Sequence, residues 1–326
     1  MSPNPSVARK RPSFFLPLVL GIAVLAIAGI VWGIVALTRP AEGAEAGAPE
    51  ARLPAGTGMG VVELNVSDLD LVRDYYVDAV GLEVLSEEAG TAVLGFDIPL
   101  IELHEGSGAA QASPTEAGLY HSAILYPDGP ALAEALMSIS AVAPESFQGS
   151  ADHAVSEAFY FTDPEGNGLE LYIDRPADEW VWEDGEVQMG SAPLDPNAFI
   201  SEHLGNDSAG GAVLGHVHLK VGDLDDAEVF YSEILGFAVT ARSDGALFYA
   251  ADGYHHHVAT NTWQSNGAGV RTNETGLGSL SITVADAAAL DALADRLEAA
   301  GTVFERDGAV LFTADPWGNT VRVSAA

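Results

Sequence analysis

The chain has 326 residues, 48% of them hydrophobic, and a formal net charge of −34, so it is long enough for two ordinary domains with real cores. That charge repels phosphate backbones and argues against nucleic acid as a partner; its plain reading is a solvated acidic surface. With no cysteine, disulfides, thiolate metal sites and a cysteine nucleophile are excluded.

Residues 1–13 end in a basic cluster, Arg9, Lys10 and Arg11. Residues 14–37 form an uncharged apolar run, which as a helix is long enough to cross a bilayer. Only Arg39 follows closely. The positive-inside rule then predicts a single-pass anchor in the cell membrane, with residues 1–13 cytoplasmic and the remainder outside. A cleaved signal peptide is the competing reading, with Ala44-Glu45-Ala46 as its cleavage site. The run is too long for a signal h-region, which favours the anchor. Residues 38–58, rich in Ala, Gly, Pro and Glu, read as a flexible linker.

Beyond the linker the chain repeats itself. Residues 62–84, VELNVSDLDLVRDYYVDAVGLEV, align without a gap to residues 217–239, VHLKVGDLDDAEVFYSEILGFAV. Each reads as an alternating strand, an Asp-capped helix and a Gly turn into a second strand. Residues 119–128 pair in the same way with 277–286, and TDPEGN at 162–167 pairs with TADPWGN at 313–319. Four modules of βαβββ type therefore start near residues 60, 118, 214 and 276. The predicted fold class is α+β: four such modules in two cupped mixed sheets, preceded by one transmembrane helix. In chain order, the domains are 59–180 with modules one and two, a linker at 181–212, and 213–326 with modules three and four.

The stretch 151–174, ADHAVSEAFYFTDPEGNGLELYID, holds His153, Tyr160, an Asp-Pro-x-Gly turn and Glu170 at fixed offsets. It resembles the signature of extradiol ring-cleaving dioxygenases of the vicinal oxygen chelate superfamily, which also contains glyoxalases and bleomycin resistance proteins. Ala151 departs from that signature. The four modules are similar to the superfamily's two-domain form. TyrHisHisHis at 254–257, Asn261-x-Trp263 and GlyHisValHis at 215–218 resemble its catechol-2,3-dioxygenase-like branch.

The resemblance implies metal ligands on the first and last strands of the modules. Strand alternation puts His216 and His218 on one face of their strand, Glu170 and Tyr172 on one face of theirs, and His121 on the matching face of a third. Across the repeats His121 becomes Ser279, Glu170 becomes Arg322 and His216 becomes Val61. Modules two and three thus keep His121, Glu170 and His216, which meet only if module two pairs with three and one with four. His218 shares the face of His216 and remains an alternative ligand. Two imidazoles and one carboxylate with open positions suit Fe(II), and Mn(II) is admitted. In the 1/4 pair, Glu63, Arg322 and Glu102 face the cup, where an ion pair replaces the lost metal.

Alternation places His255 and His257 on one face, so His257 first and His255 second are expected as the acid/base that the resemblance implies. His153 and Tyr160 occupy signature positions that contact substrate or oxygen, or are interior hydrogen-bonding residues. The implied function is a membrane-anchored dioxygenase acting on a small aromatic diol with O2. The alternatives are a glyoxalase-type isomerase or lyase, a thiol transferase of the same fold, and a non-catalytic antibiotic-binding protein.

Overall fold

Each repeat folds as the alternation requires. The computed structural model describes residues 47–106, 112–208, 211–272 and 275–326. Module one runs β1 (Gly58–Val66), α1 (Leu69–Asp74, continued as a π-helical turn Tyr75–Val80), β2 (Glu83–Glu88), β3 (Thr91–Gly95) and β4 (Pro99–Glu105). Module two runs β5 (Gly118–Leu125), α2 (Gly129–Val142), β6 (Phe147–Asp152), β7 (Ser156–Thr162) and β8 (Gly168–Asp174). An insertion adds the short strands β9 (Trp182–Glu183), β10 (Glu186–Val187) and β11 (Ala192–Pro193), then α3 (Pro196–His203). Module three has β12 (Val213–Lys220), α4 (Leu224–Glu228, continued as a π-helical turn Val229–Ile234), β13 (Ala238–Ser243), β14 (Ala246–Ala250) and β15 (Val258–Asn261). Module four has β16 (Gly276–Val284), α5 (Ala287–Ala300), β17 (Phe304–Asp307), β18 (Val310–Ala314) and β19 (Thr320–Ala325).

An aspartate starts every module helix. Asp68, Asp128, Asp223 and Asp286 each accept a backbone N–H of the first turn, satisfying donors that the helix itself cannot.

The strands form two mixed sheets, ordered β17-β18-β19-β16-β1-β4-β3-β2 and β11-β6-β7-β8-β5-β12-β15-β14-β13. Module one therefore joins module four through antiparallel β1 and β16. Module two joins module three through antiparallel β5 and β12. The sequence halves 59–180 and 213–326 each give one module to each sheet. Val62, Leu64, Val217, Leu219, Leu169, Leu171, Leu280 and Val321 pack with the helices in one continuous buried cluster. The alternate residues point to the opposite, cup face of each sheet.

Two segments read as linkers are built into the fold. Part of 38–58 is docked on module three: Arg52 and Leu53 donate to Gly236 O at 2.8 and 3.0 Å, and Leu53 is buried. The segment 181–212 carries the insertion. Its Phe199 is buried against Phe159, a contact of about 2–3 kcal/mol by area. Its Trp182 and Met189, with Trp180 just before it, pack against the buried cluster of Val155, Val187 and Ala241. No helix among the described residues is long and apolar enough to cross a membrane. The expected transmembrane helix at 14–37 lies outside the described residues.

Candidate active site

Three strands at the centre of the 2/3 sheet deliver the expected ligands to one point. β5 carries His121, β8 carries Glu170 and β12 carries His216. In register, Ala123 faces both Glu170 and His216. Close approach of β5 and β8 depends on Gly168, where a Cβ would collide with the carbonyl of Tyr120.

His121 Nε2 lies 3.0 Å from Glu170 Oε2, and His216 Nε2 lies 3.3 Å from the same oxygen. The two Nε2 atoms are 3.4 Å apart. Ligands held at about 2.1 Å on adjacent positions of one metal stand roughly 3 Å apart, so this donor set fits an ion at its centre. All three side chains are buried. Burial alone would raise the pKa of Glu170, but His216 and His121 more than offset it and hold the carboxylate well below its usual range. Burial also lowers His216, against the pull of Glu170. The site therefore favours an ionised Glu170 and a neutral His216, the states in which a carboxylate and an imidazole bind a metal.

His218 is not brought to Glu170. The Asn261 amide donates to its Nε2 at 3.0 Å, and its ring lies among Tyr120, His121 and Trp263.

The histidine run behaves differently from its alternation. Residues 251–257 form turns and bends before β15 begins at Val258, so the two-residue period does not extend through them. His256 is the member beside the triad. Its ring lies 4.2 Å from that of His216 and 5.1 Å from Phe248, centroid to centroid. His257 turns away. Its Nδ1 accepts from Ala251 N at 3.3 Å, and its ring stacks on Phe237. It lines a groove of about 450 Å³ with Met59, Ile98 and Tyr254.

His255 stands behind His256. Its Nε2 is 2.8 Å from Asp174 Oδ1, and its Nδ1 is 2.8 Å from His256 Nδ1. A carboxylate can only accept, so Nε2 of His255 carries a proton. The tautomer in which His256 Nδ1–H donates to His255 Nδ1 leaves Nε2 of His256 without a proton. Burial, then the neighbouring His216 and His255, push the His256 pKa well below its ordinary value. Asp174 is also tied to Tyr254, whose hydroxyl donates to Oδ2 at 3.0 Å and meets Tyr172 Oη at 2.9 Å.

On the other flank, His153 Nδ1 donates to Gly190 O at 2.6 Å. Its Nε2 then accepts from Tyr160 Oη at 2.7 Å. Tyr160 lies 5.6 Å from His121, ring to ring. Burial, with the Glu170 charge, raises the Tyr160 pKa well above its usual value, so the hydroxyl keeps its proton. Sequence reasoning passed over His256, Asp174 and Trp180. Asp174 was legible, because it shares the alternation of Glu170 and Tyr172. Nothing in the sequence marked Trp180, whose ring lies 5.1 Å from His255.

Comparison with known proteins agrees with this architecture. Residues 213–323 match the family model of the Glyoxalase/Bleomycin resistance protein/Dioxygenase superfamily. The chain is 34% identical over 263 residues to the catechol-2,3-dioxygenase of Bacillus subtilis (strain 168), covering 76% of this chain and 90% of that protein. It is 27% identical over 120 residues to biphenyl-2,3-diol 1,2-dioxygenase 3 of Rhodococcus globerulus, covering 34% of this chain and 60% of that one. The solved structure of glyoxalase I from Zea mays superposes with a TM-score of 0.51 at 17% identity, covering 83% of this chain and 92% of that chain. Four βαβββ modules, two shared sheets and this kinship together make the chain a member of the vicinal oxygen chelate superfamily, in its catechol-2,3-dioxygenase-like branch.

Proposed function

We propose that the protein is an extradiol dioxygenase that cleaves a small aromatic diol with O2, using Fe(II), or alternatively Mn(II), held by His121, Glu170 and His216. The observation that carries this reading is the convergence of two imidazole nitrogens and one carboxylate oxygen within 3.0–3.4 Å of one another, with His256 beside them. The kinship to a catechol-2,3-dioxygenase supports the same substrate class.

His121, Glu170 and His216 would hold the metal through three donors and leave room for substrate and oxygen. When bound, the metal would supply a template and a path for charge between the two. His256 Nε2 takes the proton of a diol hydroxyl and later returns it. His255 and Asp174 keep that nitrogen proton-free by fixing the His256 tautomer. Tyr160, its proton committed to His153, stands beside His121 as a neutral hydroxyl. Trp180 and Phe248, which flank His255 and His256, pack with Trp182 and Met189 around Val155, Val187 and Ala241 and shield that side of the site from water.

The test is metal analysis followed by oxygen uptake. Anaerobically iron-loaded protein should consume one O2 per catechol, with both atoms of 18O2 recovered in the ring-opened product. Metal binding without oxygen uptake would direct attention to isomerase or lyase chemistry of the same fold. No metal binding at all would leave a small-molecule binder.

We also propose that residues 14–37 anchor the protein in the cell membrane with the catalytic part outside, from the charge-free apolar run and the basic residues before it. Full-length protein should then fractionate with membranes. A mature N-terminus near Gly47 would mark the run as a cleaved signal instead.

A further inference from the structure

The 1/4 sheet carries a cluster that the proposed chemistry does not use. Parallel pairing sets Glu63 of β1 beside Glu102 of β4, and Asn65 beside His104. Leu64, Ile101 and Leu103 are buried in the core, so Glu63, Glu102 and His104 share the cup face. Two carboxylate oxygens and one imidazole nitrogen here lie within 4.8 Å of one another. His104 Nε2 is 3.0 Å from Glu102 Oε1, and its Nδ1 is 3.2 Å from Thr91 Oγ1. Register also relates the two cups. Glu102 pairs with Glu63 as Glu170 pairs with Ala123, so Glu102 occupies the position of Glu170 in module one.

The expected ion pair with Arg322 does not form. Among the described residues, Arg322 has no carboxylate within ion-pair distance, and Glu102 pairs with His104 instead.

A second observation points to a ligand. Ser279 of β16, the register partner of Glu63, stands where module two has His121. It is 4% exposed, and its Oγ has no hydrogen-bond partner. Ser281, on the same face and 4% exposed, is also unpartnered. Buried hydroxyls are normally satisfied, by protein or by ordered water. Ser279, directly across the strand pair from Glu63, is placed to bond a cation or its water shell.

We propose that the 1/4 cup is a second divalent-cation site, with Glu63, Glu102 and His104 as its ligands and Ser279 next to them. Two carboxylates balance the ion's charge, and the absence of thiolate favours Mn(II) or Zn(II). Thr91, accepting from His104 Nδ1–H, leaves Nε2 free to coordinate, the usual orienting role of such a partner. The side chains of Glu102 and His104 are 28% and 37% exposed, so the ion exchanges with solvent more readily than one at the buried triad.

Equilibrium dialysis of chelator-stripped, full-length protein against Mn(II), with bound metal counted per chain, tests this. Wild type should bind two ions. The double variant Glu63→Gln/Glu102→Gln should bind one, and Glu170→Gln should also bind one. Because the Gln substitutions are isosteric and part-exposed, the ion kept at the triad and an unchanged circular dichroism spectrum report an intact fold. Glu102→Gln alone serves if the double variant unfolds. One ion in wild type, kept by Glu63→Gln/Glu102→Gln and lost in Glu170→Gln, overturns the second site. One ion kept by Glu170→Gln and lost in the double variant upholds it and overturns the triad.

Discussion

His256 places its ring 4.2 Å from that of His216, while its neighbour His257 stacks on Phe237 away from the triad. The two residues are adjacent in sequence and differ in proposed role. Replacing His256 by Phe should leave bound metal near the wild-type level and lower turnover by about 10²–10⁴, the usual range for a lost general acid or base. Replacing His257 by Asn should keep turnover within about tenfold of wild type. Paired measurements of metal content and O2 uptake decide the matter. The reverse ranking would return the acid/base role to His257.

Glu170 supplies the only carboxylate of the proposed triad. Glu170→Ala should lower metal affinity by more than the roughly 10–100-fold expected for an outer-shell change. Metal content and oxygen uptake should fall together. Retention of metal at full occupancy would move the site elsewhere.

His257 gives the apoprotein a defined pH response. Burial, then His255 and His216, lowers its pKa to about 4, against about 6.5 in the unfolded chain. The unfolded state therefore binds the proton more tightly. The stability is whole above about pH 6.5 and is lost as pH falls toward 4, by about 2 kcal/mol between pH 7 and pH 5. Urea unfolding of metal-stripped protein at the two pH values should show His257→Asn losing less than wild type. Asn is chosen because its side-chain oxygen can still accept from Ala251 N. Equal losses would mean that His257 titrates normally.

Gly215 lies under the Tyr172 hydroxyl, and a Cβ there would collide with Tyr172 Oη. Gly215→Ala should cost about 1–3 kcal/mol, the range for overpacking, and should break the Tyr172–Tyr254 hydrogen bond. Adding Tyr172→Phe removes the colliding oxygen, so the double variant should regain part of the loss. Simple additivity of the two changes in urea midpoints would show that the strain lies elsewhere.

How much of this was legible in the sequence depended on regular backbone. Alternation sorted Glu170 and Tyr172 from Leu169 and Leu171 correctly, because β8 is extended throughout. The four Asp caps were legible because a cap is a local motif. The exchange of modules between sheets followed from asking which modules carry His and Glu. Alternation failed at 255–257 because those residues lie in bends, where a two-residue period has no meaning. The insertion read as a linker because β9, β10 and β11 are only two residues each. Strands so short exist by pairing and leave no periodic trace.

The module exchange also sets an order of assembly. Modules two and three follow one another in the chain, so the sheet with the triad can close as soon as β15 has left the ribosome. Module one can pair only within itself at that stage. Its partner β16 comes later, with the whole 2/3 sheet lying between them in sequence. Until then the edge of β1 remains open, exposing strand hydrogen-bonding groups that invite pairing with another nascent chain. On this order the proposed catalytic half would assemble first, and the 1/4 sheet would carry the entropy of the longer loop closure. Truncation before β16 should yield a chain that still assembles the 2/3 sheet yet aggregates through β1.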